Sequence, residues 1–199
     1  MPDKILIATT NQGKVAEIRD LVKELSVEFL SLSDMSGIPE VVEDGATFEE
    51  NALKKARVIA YSTGMATLAD DSGLCVDALD GRPGVLSARY AGENASDEEK
   101  YTRILEEMQG VPDAARSARF VCALALVAPD GEEKLFRGVC EGRITREPRG
   151  TSGFGYDPIF YFEKAGRTFA EMDMESKNCV SHRGLALKEF AEFLRKLVS

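Results

Sequence analysis

The stretch that most limits what this chain can become is residues 118–128, ARFVCALALVA, which is almost unbroken in apolar side chains. A strand turns successive side chains to opposite faces. One that is apolar on both must be covered on both sides of its sheet. Pro129-Asp130-Gly131-Glu132 supplies a turn into a second strand over residues 134–140, and a further strand is expected over 141–145. Upstream, residues 5–9 read as a strand. The next segment carries Val15, Ile18, Leu21, Val22 and Leu25 at the spacing of one helical face. Residues 27–32 fit another strand. Strands alternating with helices early and antiparallel pairs late predict an α/β fold with a mixed sheet. At 199 residues the chain is expected to be one domain, 1–199, with two lobes.

Charge narrows the function. The net charge of −9 argues against binding a nucleic-acid polymer, which needs a concentrated basic surface. It leaves room for a small anion, because a few lysines in a cleft can dominate locally. Cys75, Cys122, Cys140 and Cys179 lie far apart among apolar residues with no CxxC pair, so buried reduced thiols are expected rather than zinc or disulfides. The segment before Lys4-Ile5-Leu6-Ile7 is too short for a signal peptide, and no apolar run approaches membrane-spanning length. A cytoplasmic protein without membrane partners is the expectation.

Three stretches carry chemistry. Thr9-Thr10-Asn11-Gln12-Gly13-Lys14 joins a strand to a helix, with Thr10 or Asn11 as N-cap. Free N–H groups and the helix dipole suit it to phosphate, although Ala8 and Val15 stand where a Walker A loop needs glycine and Ser or Thr. A capped helix with a solvated lysine fits the same residues. Further on, Glu43 lies in an acidic loop before a capping box, Thr47 with Glu50, and Asn51 and Lys55 sit one turn apart beyond it.

Residues 65–69 read as a strand that ends in Asp70-Asp71-Ser72-Gly73, after which an alternating strand resumes. Neighbouring strand residues face opposite ways, so one carboxylate can reach a ligand while the other braces the turn. Hard divalent cations favour such oxygens, and Mg²⁺ usually takes one or two carboxylates plus substrate phosphates. A plain Asp-Asp-Ser-Gly turn accounts for the same residues.

The third stretch, Gly150-Thr151-Ser152-Gly153-Phe154-Gly155-Tyr156-Asp157-Pro158, interleaves glycines with aromatics. It suits a loop that stacks a flat ring, and equally a β-turn whose aromatics are core. The last helix, with Leu185, Leu187, Phe190, Leu194 and Leu197, follows Lys177-Asn178-Cys179-Val180-Ser181-His182-Arg183-Gly184. His182 and Arg183 fall in its first turn, where positive charge opposes the macrodipole, which hints at a reason other than helix stability. A second capping box, Ser96 with Glu99, opens a helix with Tyr101, Ile104, Leu105 and Met108 on its buried face.

Together the stretches at 9–14, 47–52, 69–74, 83–92, 153–160 and 181–184 resemble, in order, the inosine/xanthosine triphosphate pyrophosphatases, enzymes that remove nonstandard purine nucleotides. The resemblance implies an elongated two-lobed α/β fold around a central mixed, twisted sheet, with helices on its faces and a cleft between lobes. It implies a homodimer, and Mg²⁺-dependent cleavage (Mn²⁺ as a substitute) of ITP, dITP or XTP to monophosphate and pyrophosphate. On this reading Thr9, Thr10, Asn11, Gln12, Gly13 and Lys14 hold phosphates. Asp71 is metal ligand and proton acceptor, with Glu43 as second metal position and Lys55 as a further catalytic candidate. Ser72 touches substrate. Phe154, Gly155, Tyr156 and Asp157 line the base pocket, completed by Lys177, His182 and Arg183. A donor aimed at the 6-oxo group, from Arg183 or His182, would leave adenine mispaired. Ser152 stands where the family has glycine. A pyrophosphatase for dUTP or modified pyrimidines, or a nucleotide-binding module without turnover, are the rival readings.

Overall fold

In the computed structural model, which describes residues 3–198, strand β1 (Lys4–Ala8) feeds helix α1 (Gln12–Val22). Asn11 is the cap: its Oδ1 accepts the Lys14 N–H at 3.1 Å. After β2 (Glu28–Ser31), helix α2 (Phe48–Thr63) opens at Thr47, whose hydroxyl accepts the Glu50 N–H. Only half of the expected box forms, since the Glu50 carboxylate turns to the Ala46 N–H at 2.7 Å. Gly64, at φ 66°, closes α2 in the left-handed conformation that glycine adopts without strain. There follow β3 (Ala66–Val76), α3 (Asp97–Glu107), β4 (Ser117–Val127), β5 (Glu133–Ile144), β6 (Phe160–Phe162), β7 (Arg167–Thr168), α4 (Met174–Val180) and α5 (His182–Val198). The capping box at Ser96 and Glu99 is complete.

The seven strands form one sheet in the order β2-β1-β3-β4-β5-β6-β7. β1 runs parallel to β2 and β3, whereas β6 pairs antiparallel with β5 and β7, so the sheet is mixed as the chain order implied. The apolar run at 118–128 is β4, buried almost throughout.

Several local expectations change. Asp70-Asp71-Ser72-Gly73 is no turn but the middle of one continuous strand, β3, because distant side chains satisfy its two carboxylates. The two strands expected over 134–145 are one, β5. Leu25 lies beyond the end of α1. In α5, Leu185 and Leu197 are exposed, and Ala186 and Ala191 join Leu187, Phe190 and Leu194 inside. All four cysteines are free thiols, but only Cys122 and Cys140 are buried; Cys75 is half-buried and Cys179 exposed.

The described chain divides into two compact units: residues up to Asp71 with Cys122–Gly138 and Arg183 onward, and Ser72–Val121 with Val139–His182. In the first unit, Ile5 and Ile7 of β1, Ala66 and Leu68 of β3, and Cys122, Leu124 and Leu126 of β4 pack against Ile18 and Val22 of α1 and Leu187, Phe190 and Leu194 of α5. Helix α2 packs on β1 through residues outside that cluster, which places it on the opposite sheet face. The second unit has its own core, where Phe120, Phe160, Phe162 and Phe169 cluster with Ile104 of α3 and with Met108, the residue that follows that helix.

Phe190 is fully buried, edge-on to Phe29 and Phe136 at 6.3 and 5.5 Å. Phe190→Ala removes that contact and leaves a cavity, so chemical denaturation should show a loss of about 3–5 kcal/mol. A loss below about 1 kcal/mol would mean that α5 is not anchored there.

Candidate functional site

The first unit carries a buried ionic chain on the α1 and α5 side of the sheet. Asp70 shares the parity of Leu68 and so points to that face. One of its oxygens pairs with Lys14; the other accepts from Arg183 Nε at 2.9 Å and from the Cys122 thiol at 3.2 Å. Arg183, fully buried at the start of α5, extends its other arm to Glu17 of α1. Burial alone would raise the Asp70 carboxyl, but Arg183 and Lys14 outweigh it and hold the pKa well below the usual range. Burial likewise works against the Arg183 charge, which Asp70 and Glu17 more than restore.

Asp71 points the other way, toward α2. Its Oδ2 accepts from Asn51 Nδ2 at 3.0 Å, and Asn51 is itself oriented by the Gly45 N–H at 2.7 Å. Gly45 must lack a side chain, since a Cβ there would lie 2.7 Å from Asn51 Oδ1. One turn along α2 from Asn51, Lys55 pairs with Glu43. Burial pushes the Asp71 carboxyl up to about 6; the Glu43 charge adds to this, while Lys14, Lys55 and the Asn51 bond oppose it.

Among the described residues no three or more His, Cys, Asp or Glu gather as a metal cage. Asp71 and Glu43, however, repel each other across a site with buried oxygens, a repulsion that a hard cation would remove. Two carboxylates also match what Mg²⁺ takes when phosphates complete its shell. The donor set fits that ion.

Thr9 through Lys14 turn from β1 into α1, with the Asn11 N–H on Thr9 Oγ1 at 3.2 Å and Gln12 Nε2 on Thr10 O at 3.3 Å. Thr10, Asn11 and Gln12 are exposed at the helix N-terminus, where unsatisfied N–H groups favour an anion.

The second unit holds the remaining predicted residues. Gly153 takes φ +77°, and a Cβ on it would fall 2.1 Å from Asp157 Oδ2. That same oxygen accepts from the Phe154 N–H at 3.0 Å and from Lys177 Nζ at 2.5 Å. Lys177, buried in α4, also lies 4.8 Å from the Phe154 ring centre, so a carboxylate and an aromatic face share its charge. Tyr156 is core: its hydroxyl donates to Ser87 O at 2.8 Å. Burial, with Tyr90 and Asp97 nearby, pushes its pKa up and keeps it a neutral donor. Gly155 N–H donates to Asp97 at 2.6 Å. His182 stacks on Phe120, with ring centres 4.6 Å apart and planes within 11°. Ser72 is half-buried in β3.

The structure thus gathers Lys14, Lys55, Glu43, Asp71 and Arg183 in the first unit, and Phe154, Gly155, Tyr156, Asp157, Lys177 and His182 in the second. Sequence reasoning missed Glu17, Ser87 and Asp97. Each left a faint signal: Glu17 as a carboxylate beside the apolar stripe of α1, Ser87 within the stretch 83–92, and Asp97 within the Ser96 capping box.

The architecture has close counterparts among solved proteins. A HAM1 protein from Coxiella burnetii aligns with a TM-score of 0.89 at 45% identity, over 97% of this chain and 98% of that one. The Ham1 protein of Staphylococcus aureus aligns at 0.87 and 40% identity, over 98% and 99%. A dITP/XTP pyrophosphatase of Geobacter sulfurreducens is 54% identical over 184 residues, 92% of each chain, and one of Desulforamulus reducens is 50% identical over 194 residues, 98% of this chain and 96% of that one. The fold is therefore that of the α/β proteins of the Ham1 type. Residues 5–193 match the family as a whole, and the chain belongs to the Ham1 family.

Arg183→Ala would remove the buried cation shared by Asp70 and Glu17, so denaturant titration should reveal a loss of about 3–5 kcal/mol. A variant as stable as the wild type would show that this pairing does not hold the unit together.

Proposed function

We propose that this chain hydrolyses the nonstandard purine nucleoside triphosphates dITP, ITP and XTP to the monophosphate and pyrophosphate. The observation that carries the reading is its identity of about half, over more than nine-tenths of both chains, to proteins named dITP/XTP pyrophosphatase. The reaction needs a water aimed at the α phosphorus and charge neutralisation on the departing pyrophosphate; positioning and electrostatics supply both.

The phosphates are assigned to Thr9 through Lys14, where N–H groups at the α1 N-terminus and the lysine offer donors and charge. Asp71, oriented by Asn51, is the proton acceptor for the water, and Lys55 adds positive charge on the α2 side. Glu43 and Asp71 would hold Mg²⁺ (or Mn²⁺), which when bound would offset charge on the phosphates. Base recognition falls to Ser72, the 154–157 loop and Lys177. His182 and Arg183, consecutive in the chain, are the candidates for reading the 6-oxo group; because Arg183 also pairs with Asp70 and Glu17, single alanine variants of each are compared by their ratio of dITP to dATP turnover below the melting temperature of each variant. The same reading takes the protein as a cytoplasmic homodimer.

Turnover of dITP with Mg²⁺ in ¹⁸O water tests the reaction. Equal amounts of pyrophosphate and dIMP, with the label in dIMP and little product from ATP, GTP or dUTP, are expected. Orthophosphate release, label in pyrophosphate, or a preference for dUTP would overturn the assignment.

A further inference from the structure

Ser87 lies outside every motif that chemistry alone would select, yet it is buried and bonded in three directions. It sits in the helical turn Gly84–Arg89. Its Oγ donates to Gly84 O at 2.6 Å and accepts the Leu74 N–H of β3 at 2.9 Å. Its carbonyl accepts the Tyr156 hydroxyl at 2.8 Å. One residue therefore ties the strand segment beginning at Ser72 to the glycine loop of residues 153–157.

The approach is close enough to dictate sequence. A Cβ on Gly73 would lie 2.3 Å from Ser87 Oγ and 2.6 Å from Gly84 O, so only glycine at 73 lets the turn reach β3. The turn is pinned at its far end as well. Tyr90 donates to Glu107 at 2.8 Å, while Arg103 binds the Tyr90 carbonyl at 2.7 Å and lies over its ring. The loop has a second tether of its own, from the Gly155 N–H to Asp97 on α3. The connection is thus short, buried and held at both ends.

We propose that Ser87 is a positioning residue for base recognition: through Tyr156 it sets the register of the 153–157 loop against Ser72. The proposal rests on the reading of that loop given under Proposed function. It gives Tyr156 a different task from lining the base pocket, since its hydroxyl already serves the Ser87 carbonyl. Ser87→Ala keeps the carbonyl but frees the strand from the turn. Tyr156→Phe keeps the ring but frees the loop.

The test is a double-mutant cycle on dITP kinetics, with amide hydrogen exchange on the same proteins. Each single variant is expected to raise KM about fivefold to tenfold with kcat little changed, the size of one lost hydrogen bond expressed in ground-state binding. The double variant should be little worse than the poorer single one, because both break the same connection. Exchange at residues 153–157 should quicken in Ser87→Ala, although that substitution lies in the turn. Unchanged KM in an active enzyme, with only the melting temperature lowered, would make Ser87 merely structural and overturn the proposal. Multiplying effects, or a loop whose exchange ignores Ser87→Ala, would overturn it too. A wild type that does not turn over dITP would instead strike down the underlying activity reading.

Discussion

The Arg183 guanidinium, buried between Asp70 and Glu17, is the interaction on which the first unit depends. A charge so deep is tolerable only when paired and hydrogen-bonded, and losing either partner would cost several times what a surface pair contributes. The arrangement draws one residue each from α1, β3 and α5, and Lys14 closes it at the head of α1. It therefore fixes the geometry of the turn that precedes α1, the segment proposed to hold the phosphates.

Strand alternation converts that anchoring into chemistry. With Asp70 held on one face, Asp71 has no choice but the other, where Asn51, Lys55 and Glu43 come from α2 and its preceding loop. The two carboxylates consequently differ in character. Asp70 is kept ionised by cations, while Asp71 is pushed upward by burial and by Glu43. The second unit repeats the logic with a smaller set: Lys177 is neutralised by Asp157, and Asp157 in turn orders the backbone at Phe154.

Much of this was legible in the sequence where a signal was local. The apolar β4 run, the stripe of α1 and the Ser96 capping box depend on neighbours within a few residues, and each formed, the stripe without Leu25. Asp70-Asp71-Ser72-Gly73 misled because short polar residues read as a turn when their partners are out of view. Here those partners are Lys14, Asn51 and Arg183, up to 113 positions away, while Ser87 holds the next residue, Leu74, through its N–H. The short β6, β7 and α4 left little periodicity to find, although Asp173 caps α4 through the Ser176 N–H. Tyr156 was legible as part of a glycine loop. That its hydroxyl would turn inward to Ser87 was not, since the acceptor is a backbone carbonyl 69 residues distant.

The division of labour between the neighbouring aspartates is the central claim, and matched Asp70→Asn and Asp71→Asn variants measure it most directly. Each is compared with the wild type for denaturant stability and for turnover of dITP. Asp70→Asn should lose about 3–5 kcal/mol, because an amide cannot neutralise Arg183 and Lys14. Asp71→Asn should stay folded to within about 1 kcal/mol, its buried oxygen still accepting from Asn51, while turnover falls by about a hundredfold or more. An Asp71→Asn enzyme of near-normal turnover, or an Asp70→Asn protein as stable as the wild type, would contradict the account.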